Sequence, residues 1–156
     1  MKLFRIAKEQ HIGGLSGIGA RLYGGRWNHK GVAVVYASES RALAALEYLV
    51  HVPMSTIPSD LKILELVVPE RIVPEDIDPV DLPTKWRKYP PPQHLATLGS
   101  NWANSNRSLL LRVPSAVVEN EFNILINPKH KDLKRIQAIG PVRFEFDARL
   151  LKLGTL

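Results

Sequence analysis

The chain has 156 residues, enough for one domain with a real core and leaving little room for a second. Its 45% hydrophobic content excludes a disordered chain, no apolar run reaches the roughly 18 residues of a membrane span, and neither a secretion signal in MKLFRIAKEQ nor any cysteine is present, so a soluble cytoplasmic protein is expected. The formal charge of +6 attracts polyanions and is segregated, with seven Lys/Arg against three acids in residues 1–51, two against seven in 52–82 and twelve against five in 83–156.

In chain order, KLFRIA (2–7) predicts a short strand, followed by a loop made mobile by Gly13, Gly14, Gly17 and Gly19. After the polar segment YGGRWNHK, the short β-branched run GVAVVYA (31–37) predicts a buried strand. SESRALAALEYLVH (38–51) predicts the clearest helix, capped by Ser38 with Glu39 in its first turn. LKILELVVP (61–69) predicts a strand closed by Pro69, and the acidic, proline-rich stretch from Pro69 to Pro92 a loop. A second helix is expected from the prolines at 90–92 through HLATLGSNWAN, with Gly99 as a candidate break. SLLLRVP (108–114), FNILIN (122–127) and PVRFEFD (141–147) predict strands, and KHKDLKRI (129–136) a short helix. Two long helical patterns among about six strands, without strict alternation, indicate an α+β fold over one domain, residues 1–156. No GxGxxG or P-loop pattern occurs.

Candidate chemistry concentrates in a few places. At helical spacing Ser40, Ala44, Glu47 and His51 share one face, with Arg41 and Tyr48 at its margin. Facing solvent, Glu47 is a routine acid; facing a cleft, it is a carboxylate whose surroundings can tune it. In GGRW, Arg26 is either an ordinary solvated loop arginine or a phosphate ligand, Gly24 and Gly25 permit close backbone approach, and Trp27 offers a flat face for a ring. Tyr36 ends a strand just before the helix of Glu47, and Ser115 follows a proline in RVPSAV, where a turn or cap is the ordinary role. His11, His29, His51, His94 and His130 show no HExxH spacing and cysteine is absent, so no metal site is expected. A nucleic-acid-binding or ribonuclease reading draws on the net charge, KHKDLKRI and the aromatics Trp27, Trp86, Tyr89 and Trp102, but those aromatics form no regular stripe and no known motif appears. A non-catalytic interaction protein, with a partner's segment in place of a substrate, is a third reading.

FRI, GGRWN, VVYAS with LAALEYLVH, LLRVPSAVV and NILINPKH, in that order between about residues 3 and 149, resemble the RES domain, the toxin component of bacterial RES–Xre toxin–antitoxin pairs. The resemblance implies a compact ADP-ribosyltransferase-like domain with a mixed, mostly antiparallel sheet and flanking helices. It implies Arg26, Glu47 and Ser115 as the residues that name the family, with Arg5 and Tyr36 beside them. NAD⁺ is then a substrate rather than a cofactor, bound by Arg5, Gly25, Arg26, Trp27 and Tyr36, its pyrophosphate held by Arg26 and Arg5. Glu47 stabilises positive charge on the ribose, Ser115 orients the substrate or Glu47, and the acceptor is water, phosphate or a protein side chain. The implied partner is an Xre-type DNA-binding antitoxin in a hetero-oligomeric complex, with no direct nucleic-acid or membrane binding.

Overall fold

The apolar runs pair into one sheet in the computed structural model, which describes residues 1–151. Among these residues the strands are β1 (Lys2–Lys8), β2 (Val35–Ser38), β3 (Leu61–Val67), β4 (Glu75–Asp76), β5 (Leu110–Pro114), β6 (Phe122–Ile126) and β7 (Gln137–Arg143), in spatial order β4-β5-β6-β2-β1-β3-β7. Only β4 with β5 is parallel; the other neighbours are antiparallel. The helices are α1 (Glu9–Ile12), α2 (Ile18–Tyr23), α3 (Arg41–Leu49) and α4 (Gln93–Ser105). This is the expected α+β architecture with a mixed, mostly antiparallel sheet.

Strand alternation divides the core. Val35, Ala37, Leu64, Leu66, Leu110, Ile124 and Ile126 pack with Leu3 and Ile12. Leu111, Val113 and Leu125 point the other way, onto Leu95, Trp102 and Ala103 of α4 and onto Trp27. Register carries this second face toward polar residues: Tyr36 lies opposite Leu125, and Asn123 lies opposite both Ser38 and Val113. The period that buries leucines in the centre therefore projects Tyr36, Ser38 and Asn123 from the same face.

Several local expectations change. The expected strand from residue 31 starts only at Val35, and α1 and α2 form where a loop was expected. Ser40, not Ser38, caps α3, its hydroxyl accepting from the Leu43 N–H at 3.0 Å. Glu39 lies before the helix and pairs with Arg112 at 2.9 Å. The last strand begins at Gln137 rather than Pro141. Every β7 residue is exposed, so the strand joins the sheet edge through its backbone and leaves no alternating signature, while Phe144 and Phe146 beyond it pack near Ala44 and Tyr48. The KHKDLKRI segment forms a 3₁₀ turn at Lys131–Arg135.

Gly99 does not break α4. A Cβ there would stand 1.9 Å from the Trp27 carbonyl oxygen, so the glycine lets the helix press against the GGRW segment. Gly99→Ala is expected to cost ~1–3 kcal/mol by overpacking, read as a lower denaturation midpoint. Gly19→Ala, inside α2 with nothing within 4 Å of its Cβ, should instead raise stability by up to about 1 kcal/mol. Equal effects at the two sites would refute the packing account of Gly99.

Candidate active-site cleft

Glu47 is built into a hydrogen-bonded bridge between three segments distant in sequence. Ser115 Oγ donates to Glu47 Oε1 at 2.6 Å, and Asn123 Nδ2 donates to the same oxygen at 2.6 Å. Asn123 Oδ1 in turn accepts from Ser38 Oγ at 2.6 Å, which fixes the way the amide faces. Ser115 Oγ accepts from the N–H groups of Val117 and Val118, both at 3.0 Å. With both acceptor positions of the hydroxyl filled, its single proton goes to Glu47. Glu47 Oε2 takes no hydrogen bond among the described residues and is the oxygen left for a ligand.

Glu47 is half-buried and borders a cleft of about 810 Å³, together with Ala44, Tyr48 and His51 of the mixed helical stripe. The cleft's other charged borders are Arg5, Arg26 and Arg87, so three guanidiniums face one carboxylate. A cleft of this balance suits an anionic ligand that develops positive charge near Glu47. Ser115, only 2% exposed, lies behind Glu47 and not on the cleft wall. Of its two expected roles the structure supports orienting Glu47, not touching substrate.

The GGRW segment is a tight turn closed between Gly25 and Asn28, with the Gly25 N–H on the Asn28 carbonyl at 2.9 Å. Tyr36 organises it. The Tyr36 hydroxyl accepts from the Trp27 N–H at 3.1 Å and donates to Asn28 Oδ1 at 2.8 Å. Asn28, itself buried, donates onward to the carbonyls of Ala20, His29 and Val32. A Cβ on Gly25 would meet the Tyr36 hydroxyl at 2.7 Å, so the glycine serves this contact. Burial raises the Tyr36 pKa, opposed by the Trp27 N–H and by Arg26, and keeps the phenol protonated.

Two expected contacts are limited by the turn itself. Trp27 borders the cleft but is only 3% exposed and packs near Trp86, with ring centroids 6.5 Å apart, so its main part is to anchor the turn in the core. Gly25 also borders the cleft, with its N–H engaged within the turn on the Asn28 carbonyl.

The arginines differ in how much of each guanidinium is engaged. Arg5 Nη1 donates to the carbonyls of Ile12 at 3.5 Å and Gly14 at 3.0 Å, holding the glycine-rich loop, and burial lowers its pKa. Arg26 Nη1 donates to the Trp86 carbonyl at 2.6 Å and Nη2 to that of Lys88 at 3.2 Å. Its pKa is lowered by desolvation, while Glu47 and Tyr36 pull the other way. Thus Arg5, Gly25, Arg26, Trp27, Tyr36 and Glu47 all border one cleft, although several of their polar groups are committed to neighbouring backbone.

Asn123 and Arg87 had not been singled out from the sequence. Asn123 sits in NILINPKH two residues before the core residue Leu125, so strand alternation was the signal that would have placed it facing inward. Arg87 sits in a proline-rich loop with no periodicity to orient it. Among the described residues no cluster of His, Asp and Glu could hold a metal ion, and no helix is long and apolar enough to cross a membrane.

Comparison with known proteins agrees with the ordered motifs. A Yersinia enterocolitica protein named Toxin Res is 39% identical over 152 residues, spanning 96% of this chain and 99% of that one. The Prs ADP-ribosylating toxin of a Sphingobium species is 41% identical over 148 residues, spanning 94% and 92%. In fold, the chain is similar to one in the crystal structure of the M. tuberculosis MbcT-MbcA toxin-antitoxin complex, with a TM-score of 0.68 at 18% identity over 92% of this chain and 83% of that one. The family model described as the RES domain matches residues 2–147, and the chain belongs to that family.

Proposed function

We propose that this chain is the toxin of a toxin–antitoxin pair and consumes NAD⁺ by cleaving the bond between nicotinamide and ribose. The observation that carries the reading is the Glu47 carboxylate, clamped through Oε1 by Ser115 and Asn123, with Oε2 left for a ligand in a cleft whose other charged residues are arginines. Relatives named Toxin Res, and one named an ADP-ribosylating toxin, support it.

The chemistry follows from charge. As the glycosidic bond breaks, its electron pair goes to the pyridinium nitrogen and nicotinamide leaves neutral, so strong acid catalysis is not required. Positive charge grows on the ribose, as in other glycosyl transfers with oxocarbenium-like transition states. A fixed carboxylate against the ribose hydroxyls stabilises that charge without reorganising. Water then adds at the ribose carbon and gives up a proton, yielding ADP-ribose; phosphate in place of water would yield the phosphorylated sugar. Ser115 and Asn123 are positioning residues that act through Glu47. Tyr36, with its hydroxyl donated to Asn28, shapes the turn and is not a proton carrier. The partner that neutralises the activity is an Xre-type antitoxin covering this cleft, and the antitoxin in the complex of the fold neighbour is consistent with such a pairing.

Transfer of ADP-ribose to a protein is the second reading, favoured by the name of the Sphingobium relative. NAD⁺ labelled on adenine separates the two: label released as a small molecule supports hydrolysis or phosphorolysis, and label retained on protein supports transfer.

Glu47→Gln should reduce NAD⁺ loss by about 100-fold or more, the effect of removing ~3 kcal/mol of transition-state stabilisation, with the far-ultraviolet circular dichroism unchanged. Turnover within threefold of the parent in a folded Glu47→Gln protein would sink the assignment. Ser115→Ala removes one hydrogen bond to a charged group from behind the cleft, and kcat should fall about 10- to 100-fold with KM within threefold. Steady-state kinetics decide it, since a large rise in KM alone would mean that Ser115 contacts substrate.

A further inference from the structure

The segment from Pro83 to Pro92 borders the cleft through Arg87 and Tyr89 and forms a strap fastened on both sides. On one side Arg26 donates to the carbonyls of Trp86 and Lys88. On the other, Arg87 Nε donates to the Ala116 carbonyl at 3.3 Å, in the turn that begins at Ser115. Arg87 thus lies between the GGRW turn and the loop that positions Glu47.

We propose that Arg87 is the principal pyrophosphate-binding residue of the cleft, and that Arg26 acts mainly by holding the strap that presents it. The argument is an accounting of donors and rests on the NAD⁺ reading above. Arg26 has one N–H of each terminal nitrogen on a backbone carbonyl, and Arg5 has Nη1 shared between two, its Nε and Nη2 without partners among the described residues but on a half-buried side chain tied to the glycine-rich loop. Arg87 uses only Nε, and both its terminal nitrogens lack protein partners among the described residues. Two parallel N–H donors held in a plane match two oxygens of a phosphate, and the Nε tether removes much of the conformational freedom that binding would otherwise restrict. Arg87 is exposed where it borders the cleft, so a ligand reaches it without the strap moving. Fastened to the Ala116 carbonyl, one residue beyond Ser115, it stands at a fixed place relative to Glu47, and a diphosphate gripped there sets the ribose against the carboxylate.

The test is calorimetric binding of ADP-ribose to the parent, Arg87→Gln, Arg87→Lys and Arg26→Ala, beside NAD⁺ turnover and inhibition by nicotinamide, which carries no phosphate. Arg87→Gln should weaken ADP-ribose at least tenfold and raise the KM for NAD⁺ similarly, leaving nicotinamide inhibition within twofold. Arg87→Lys keeps the charge and loses the tether, so it should recover part of the affinity; a residue needed only as a tether would recover none. Adding Arg87→Gln to Arg26→Ala should cost less than the two single losses combined, because the first change already frees the strap. ADP-ribose affinity within twofold of the parent in Arg87→Gln overturns the proposal, as does a parent that binds no ADP-ribose. A parent that binds ADP-ribose through Arg87 yet leaves NAD⁺ intact would keep this assignment and overturn the function reading instead.

Discussion

One carboxylate oxygen organises the cleft. Glu47 Oε1 accepts from Ser115 and from Asn123, residues 68 and 76 positions away, so the bridge forms only after α3, the turn beyond β5 and β6 have come together. Each donor is itself fixed, Ser115 by two backbone N–H groups of its turn and Asn123 by Ser38 across the β2–β6 pair. Taking a carboxylate partly out of water is costly unless its oxygens are paired. Here the pairing is confined to one oxygen. The remaining electrostatic demand of the other is left for a ligand, an arrangement that sacrifices some stability of the empty protein for a preorganised charge.

The opposite wall obeys a similar rule with different chemistry. Its centre is the Tyr36 hydroxyl, which accepts one backbone N–H of the GGRW turn and donates to Asn28, whose amide in turn gathers three carbonyls. The glycines nearby answer to contact more than to flexibility. Gly25 leaves room for the tyrosine oxygen, and Gly99 leaves room for the Trp27 backbone against α4. Position of the turn is thereby tied to the core through Trp27, so the placement of Arg26 depends on packing far from any charge.

How much of this was legible beforehand follows from the range of each interaction. The α3 stripe carrying Glu47 and the strands β1, β3, β5 and β6 are local patterns, and they read correctly because burial there follows a fixed period. β7 was misplaced since an exposed edge strand has no buried face to impose alternation. Glu47 and Arg26 could be proposed from residue type and family resemblance, yet only tertiary structure places them on one cleft. Trp27 was only partly legible for the opposite reason: an indole in a polar turn looks free in sequence, while the hole it fills is made by α4 some seventy residues later. Asn123 was hidden among apolar neighbours, and its role exists only in the register with Ser38.

The charge pattern gains a physical meaning from the fold. The first basic segment supplies Arg5 and Arg26, and the last begins with the strap that carries Arg87, so the arginines at the cleft come from both basic segments. Some acids of the intervening segment are drawn elsewhere: Glu65 pairs with Lys2, Glu75 with Arg107 and Asp76 with Arg112, none of them bordering the cleft. Exposed pairs of this kind contribute little to stability. Their consequence is spatial, because carboxylates engaged elsewhere do not neutralise the guanidiniums that face Glu47. The cleft is therefore positive along its three arginines and negative at Glu47, the polarity that the proposed reaction would require of it.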